Sequence, residues 1–139
     1  MLYQKEVIEK TNAWIDDDIK AKIWLQQNNF EELVQLKNAV SRYAKSFEYL
    51  LVHKHFILAA FVNAIWDDKK AFKLLIEKKE FVWAAMANYI NGDDDAANFL
   101  NKNNLKYYAE LAHKIQAKIR KEGDEGTNFF GSGPYKNGA

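Results

Sequence analysis

The stretch AFKLLIEKKEFVWAAMANYINGDDD, residues 71–95, decides the fold because the chain repeats it at a step of 25 residues. Sliding the sequence by that step places residues 46–70 on it with nine identical pairs, and two further copies fall at 21–45 and 96–120. Self-similarity at a fixed period of this size is typical of repeat arrays. An ordinary helical bundle with a chance internal match is the alternative, and four copies in register without an insertion argue against it.

Two helices are predicted within each unit. The fifth position is leucine in every copy, and the twentieth is valine or isoleucine. Positions 13, 16, 17 and 20 have the spacing of one helix face. The middle of each unit is polar and predicts a turn, after which an apolar residue opens the second helix: Phe30, Phe56, Phe81 or Leu105. Aspartates at 16–18, 67–68 and 93–95 are placed to cap the first helices of three units.

The predicted fold class is all-α, a short right-handed α-solenoid of antiparallel helix pairs. Residues 1–20 are expected to form an N-terminal capping helix with one face toward water, and the four repeats complete a single domain, 1–120. Residues 121–139 hold five of the six glycines and the only proline, which predicts a non-helical tail. The unit resembles an ankyrin helix pair without its β-turn finger. This resemblance is architectural, since the ankyrin T-P-L-H-x-A signature is absent, and the residues identify no named family.

Composition excludes several classes of function. The absence of cysteine excludes disulfides, thiolate zinc sites and cysteine catalysis, and it fits a reducing compartment, so we expect a cytoplasmic protein. The first ten residues lack the apolar core of a secretory signal. The most apolar run, 56–66, is too short to span a bilayer, so no membrane insertion is expected. A net charge of +1 offers no basic excess for binding nucleic acid.

The residues offer little catalytic or metal-binding chemistry. His53 and His55 lie two apart in a predicted turn, whereas two metal ligands on one helix face need a spacing of three or four. The aspartate runs do not match a calcium loop, and helix capping explains them. No glycine-rich phosphate loop follows a strand. We therefore expect no catalytic residue, no metal, no cofactor and no enzymatic activity.

Two sets of residues are candidates for binding a partner. The eighteenth position of the repeats forms a row that could hold the backbone of an extended peptide: Asn38, Asn63, Asn88 and His113. Because this position lies at the edge of the buried stripe, bonds to a neighbouring repeat are the favoured alternative. The second set, Phe129, Phe130 and Tyr135, lies in the tail. These rings fold back onto the array, dock on a partner or another copy, or are incidental to a loose tail.

The function predicted from these features is a non-catalytic protein–protein interaction or assembly module. It would bind a partner segment or another copy of the chain through the repeat surface, the aromatic tail or both. The alternative is a small-molecule-binding protein or enzyme with a site between helices.

Overall fold

A computed structural model describes residues 1–124 of the 139-residue chain, and this part of the protein is all-α, as predicted. The helices pack in sequential pairs. Within residues 1–124 they are α1 (Lys5–Ile15), α2 (Ile19–Gln27), α3 (Glu31–Ala39), α4 (Ala44–Val52), α5 (Phe56–Ile65), α6 (Lys69–Glu77), α7 (Phe81–Ile90), α8 (Ala96–Lys102) and α9 (Lys106–Asp124).

The ends of α1 to α8 share one backbone device. Each helix is followed by a residue with positive φ, and these residues form two series at steps of 25: Asp17, Arg42, Asp67 and Gly92, and Asn29, Lys54, Lys79 and Asn104. The next N–H then donates to the carbonyl five residues earlier, as from Phe30 to Leu25 at 2.8 Å. This is the Schellman ending, which satisfies carbonyls that the helix leaves free. The backbone therefore has the same 25-residue step as the sequence.

Side chains at equivalent positions of the units play equivalent roles. The fifth-position leucines are fully buried: Leu25, Leu50, Leu75 and Leu100. Asp18 accepts hydrogen bonds from the first backbone N–H groups of α2, and Asp68 does the same for α6. In the third aspartate cluster Asp93 instead accepts from the N–H of Asp95 at 3.1 Å, and α8 begins only at Ala96.

The odd-numbered helices form a closed ring. Contacts join α1 to α3, α3 to α5, α5 to α7 and α7 to α9, and α9 then contacts α1. The even-numbered helices lie outside this ring, each touching the two odd helices on either side of it in sequence. Among the described residues, each of the four outer helices therefore covers the junction between two successive inner helices. The fifth junction, between α9 and α1, has no outer helix from residues 1–124 over it.

Polar contacts join α1 and the residues before it to α9. The Tyr108 hydroxyl accepts from the Tyr3 N–H at 2.6 Å and donates to the Tyr3 carbonyl at 3.3 Å. Asn12 Nδ2 donates to the Tyr107 carbonyl at 3.2 Å, and Lys114 pairs with Asp16. The sequence suggested that α1 ends an open array. The structure differs because the last helix packs on the side of α1 where no earlier repeat exists.

Aromatic rings fill the centre of the closed ring. Trp83 is fully buried and meets Phe61 at 5.1 Å and Tyr108 at 5.8 Å between ring centroids, both edge-on. Its indole N–H donates to the Met1 carbonyl at 2.8 Å, and Tyr3 lies against it at 6.4 Å. The residues before α1 therefore cover the end of the ring at which the odd helices begin.

The last helix is longer than the repeat predicts. α9 continues to Asp124, four residues beyond the predicted end of the array at Arg120. Its extension is anchored to the ring, since Glu122 accepts hydrogen bonds from Ser41 at 2.6 Å and from Lys118. The predicted tail therefore begins as helix, and its residues 125–139 lie outside the described part of the chain. Along residues 1–124 no helix has the length and apolar character needed to cross a membrane.

Candidate functional site: an apolar rim

Large apolar side chains stand exposed where α4 joins α5 and where α6 joins α7. We call this set, Leu51, Val52, Phe56, Ile76 and Phe81, the apolar rim. Val52 is 65% exposed, Phe56 53% and Phe81 48%. The two turns are neighbours because α5 contacts both α6 and α7. The rim therefore belongs to one side of the ring, at the end where the odd helices begin.

The rim is confined to the two central units. At its sixth position the first unit has Gln26 and the last has Asn101, where the rim has Leu51 and Ile76. At the eleventh position the outer units have Glu31 and Lys106, where the rim has Phe56 and Phe81. The terminal units show that a polar residue satisfies the fold at these places, so packing within the chain does not require the apolar ones.

A shift of one residue places the rim phenylalanines outside the core. The sequence suggested that Phe30, Phe56, Phe81 and Leu105 play the same part in opening the second helices. In the structure Phe30 and Leu105 occupy the tenth position and pack partly buried against the core. Phe56 and Phe81 stand one residue later, which turns a helical side chain by about 100° and leaves both exposed. This displacement is visible in the sequence and is the signal that sequence reasoning missed.

Positive charge surrounds the rim. Lys54, Lys78 and Lys79 are exposed in its two turns. The carboxylates there have partners of their own, since Glu77 pairs with Lys73 at 3.9 Å and Glu80 pairs with the amino group of Met1. The rim therefore combines apolar anchors with a local excess of lysine charge.

Stacked rings flank the rim on α4. The Tyr49 ring stacks on His53 with centroids 3.9 Å apart and lies parallel to His55 at 6.3 Å. Burial raises the pKa of the Tyr49 hydroxyl, and the carboxylates of Glu31 and Glu32 raise it further. A shallow pocket of about 380 Å³ opens beside these rings and Val52. It extends the apolar surface of the rim outward along α4.

The eighteenth-position row is not part of the rim. Asn38, Asn63 and Asn88 are half-buried, and their backbone carbonyls accept the helix-ending bonds from Tyr43, Asp68 and Asp93 at 2.9–3.2 Å. His113 is exposed, with Nδ1 3.0 Å from the Tyr89 hydroxyl. Position 18 follows the rim's position 11 by seven residues, about 10 Å along the helix. A peptide-binding role for this row stays a prediction. Phe129, Phe130 and Tyr135 lie outside the described residues.

A charged groove follows the junction of α1 with α9. Open pockets of about 570 and 300 Å³ lie along it, lined by Lys5, Glu9, Asn12, Glu110 and Lys114 among others. Asn12 is only 4% exposed, and its Oδ1 accepts no hydrogen bond from residues 1–124. A buried acceptor without a donor carries a free-energy cost, so this oxygen is the one feature of the groove that suggests a ligand.

Within residues 1–124 no three histidine or carboxylate side chains converge to hold a metal ion. Comparison with known proteins gives no match, because no protein-family model, curated protein or solved structure matches this chain. The function is therefore inferred from the chain's own residues.

Proposed function

We propose that this chain is a non-catalytic protein–protein interaction and assembly module that binds through the apolar rim. It consists of four helix-turn-helix repeats of the α-solenoid kind, curled so that the first and last helices meet. The observation that carries the proposal is the contrast between units, with apolar residues exposed at rim positions of the central units and polar residues at the same positions of the outer units.

Energetics favour a partner on this surface. Full burial of a phenylalanine or leucine side chain contributes roughly 1.5–3 kcal/mol, and the rim leaves five large apolar side chains substantially in water. Clustered exposed apolar residues with a polar border are typical of protein interaction sites. The two phenylalanines at the helix starts are suited to act as anchors, and the lysines form the polar border.

Photocrosslinking at single positions tests the proposal. A benzophenone analogue of phenylalanine replaces Phe56 in one full-length protein and Phe99 in a matched control. Phe99 is also exposed, at 41%, but lies on α8 outside the rim. We expect position 56 to crosslink to a defined protein, which includes a second copy of the chain, and the second-site change Phe81→Gln to abolish that product. Equal products at positions 56 and 99, or none at 56, would reject the proposal.

The Asn12 oxygen favours one alternative, a small-molecule-binding protein or enzyme with its site in the α1–α9 groove. Such a ligand would donate a hydrogen bond to Oδ1, and the mixed charges of the groove, Lys5 and Lys114 beside Glu9 and Glu110, suit a polar molecule. A thermal-shift screen of small amines and amides compares the natural protein with Asn12→Leu, which keeps the branched shape of the side chain and removes both the acceptor and the Nδ2 donor to Tyr107. Compounds that raise Tm only in the natural protein support this function, and equal shifts in both proteins exclude it.

A further inference from the structure

We infer that the partner segment bound by the apolar rim is the C-terminal segment of a second copy of this chain. This inference rests on the proposed function and names the occupant of that site. Three observations carry it: the chemistry of the segment, the place where α9 ends, and the charge around the rim.

The segment has the chemistry that the rim requires. The sequence from residue 124 reads DEGTNFF, in which Asp124 and Glu125 precede the pair Phe129–Phe130. Lys54, Lys78 and Lys79 face solvent beside the rim and are matched by these carboxylates. The two phenyl rings supply apolar anchors for the surface between Phe56 and Phe81. Complementary charge orients such an encounter, and burial of the rings supplies most of its affinity.

The distance that the C-terminal segment can span favours the rim of another copy over the rim of its own chain. α9 has 19 residues and is about 28 Å long, and it begins at the end of the ring that carries the rim. Its last residue, Asp124, therefore lies about 28 Å from the level of the rim. Five residues separate Asp124 from Phe129, and fully extended they span at most about 18 Å. Phe130 lies one residue further, about 22 Å from Asp124 at full extension, so its ring touches the chain's own rim only if every linking residue is stretched out, at the conformational-entropy cost of fixing each one. Docking on a second copy requires no such stretch, so we place the segment on the rim of another copy.

In this arrangement the segment follows the end of α9, which lies at the end of the ring opposite the receiving rim. Contacts between two different surfaces build open chains or closed rings, and two copies lying side by side in opposite directions can also exchange segments reciprocally. In every case association depends on concentration, and salt weakens its ionic part.

Complementation between two full-length variants tests the inference. One variant, Phe56→Ser with Phe81→Ser, keeps the segment and loses the rim. The other, Phe129→Ser with Phe130→Ser, keeps the rim and loses the segment. The changed rim residues are exposed, and circular dichroism checks that helix content is retained. Sedimentation equilibrium then measures the mass of each protein and of their equimolar mixture, with Phe99→Ser as a control for the loss of an exposed phenylalanine.

We expect the natural protein and Phe99→Ser to associate beyond the 16.2 kDa chain mass as concentration rises. Each double variant alone stays at the chain mass, and the mixture gives a pair of twice that mass and nothing larger, since one rim and one segment remain in it. A mixture that stays monomeric, or a segment variant that associates like the natural protein, overturns the inference. If position 56 crosslinks to a different protein while the natural chain stays monomeric, the proposed function stands and this inference fails.

Discussion

Truncation of the fifth-position leucines tests the repeat register and the equivalence of the four units. Leu25, Leu50, Leu75 and Leu100 are all 0% exposed. Replacing leucine with alanine removes three buried carbon atoms, worth about 2.4 kcal/mol at ~0.8 kcal/mol per methylene, and leaves a cavity with a further cost. Measured changes of this kind range over about 2–5 kcal/mol. Each of these leucines lies on an even-numbered helix that packs between two odd-numbered ones, so all four changes should destabilise the protein by similar amounts.

Urea unfolding measured by circular dichroism and by tryptophan fluorescence gives the free energy of unfolding for each variant. Leu51→Ala is the matched control, because Leu51 is the next residue on the same helix and is 43% exposed, and we expect a loss of less than about 1 kcal/mol there. Losses of about 3 kcal/mol at Leu50 and Leu75 with less than about 1 kcal/mol at Leu25 and Leu100 would contradict the structural equivalence of the four units. A loss below about half a kcal/mol at Leu50 would contradict the repeat register itself.

Three further outcomes follow from backbone geometry and ionisation. Lys79 has φ 59° and Gly92 has φ 108°, a region of backbone conformation that glycine adopts without strain. Lys79→Gly should therefore stabilise the protein by about 0.5–1 kcal/mol, and Gly92→Ala should destabilise it by about 1 kcal/mol or more. Both changes are measured from urea midpoints, and the opposite signs would contradict the Schellman endings. Burial raises the pKa of Tyr108 from 10.0 to about 12, so the stability that this tyrosine contributes is fully present below pH 10 and is lost as the pH rises through 12. The free energy of unfolding should therefore fall less steeply from pH 9 to 12 in Tyr108→Phe than in the natural protein, and parallel curves would count against this. The hydrogen bond and charge of Lys37 lower the pKa of Asp17 below 3.8, so the stability that this ion pair contributes is present above pH 3.8 and is lost as the pH falls further. An NMR titration should show a higher pKa for Asp17 in Lys37→Met than in the natural protein. An unchanged Asp17 pKa would refute the pairing.

Local features of this protein were predictable because short-range interactions decide them. The leucine at each fifth position and the branched residue at each twentieth lie in the core as their spacing indicates. Asp18 and Asp68 cap helices because a side-chain oxygen placed just before a helix reaches its first free N–H groups. The exposure of the rim phenylalanines was also predictable, since Phe30 stands at the tenth position of its unit and Phe56 at the eleventh. Because these positions hold the same type of residue, the repeat comparison treated them as equivalent, although a displacement of one residue turns the side chain away from the core.

The sequence by itself determined the all-α class, the 25-residue step and the burial of the repeated apolar positions. Only the tertiary structure decided that the array closes, with Tyr3 bonded to Tyr108 across 105 residues, and that the junction of α1 with α9 leaves a groove. The physical reason is that closure depends on the rotation between successive repeats summed around the ring. That rotation is set by how side chains of neighbouring helices interdigitate, which no local pattern encodes, whereas helix ends and buried faces depend on residues only a few positions apart.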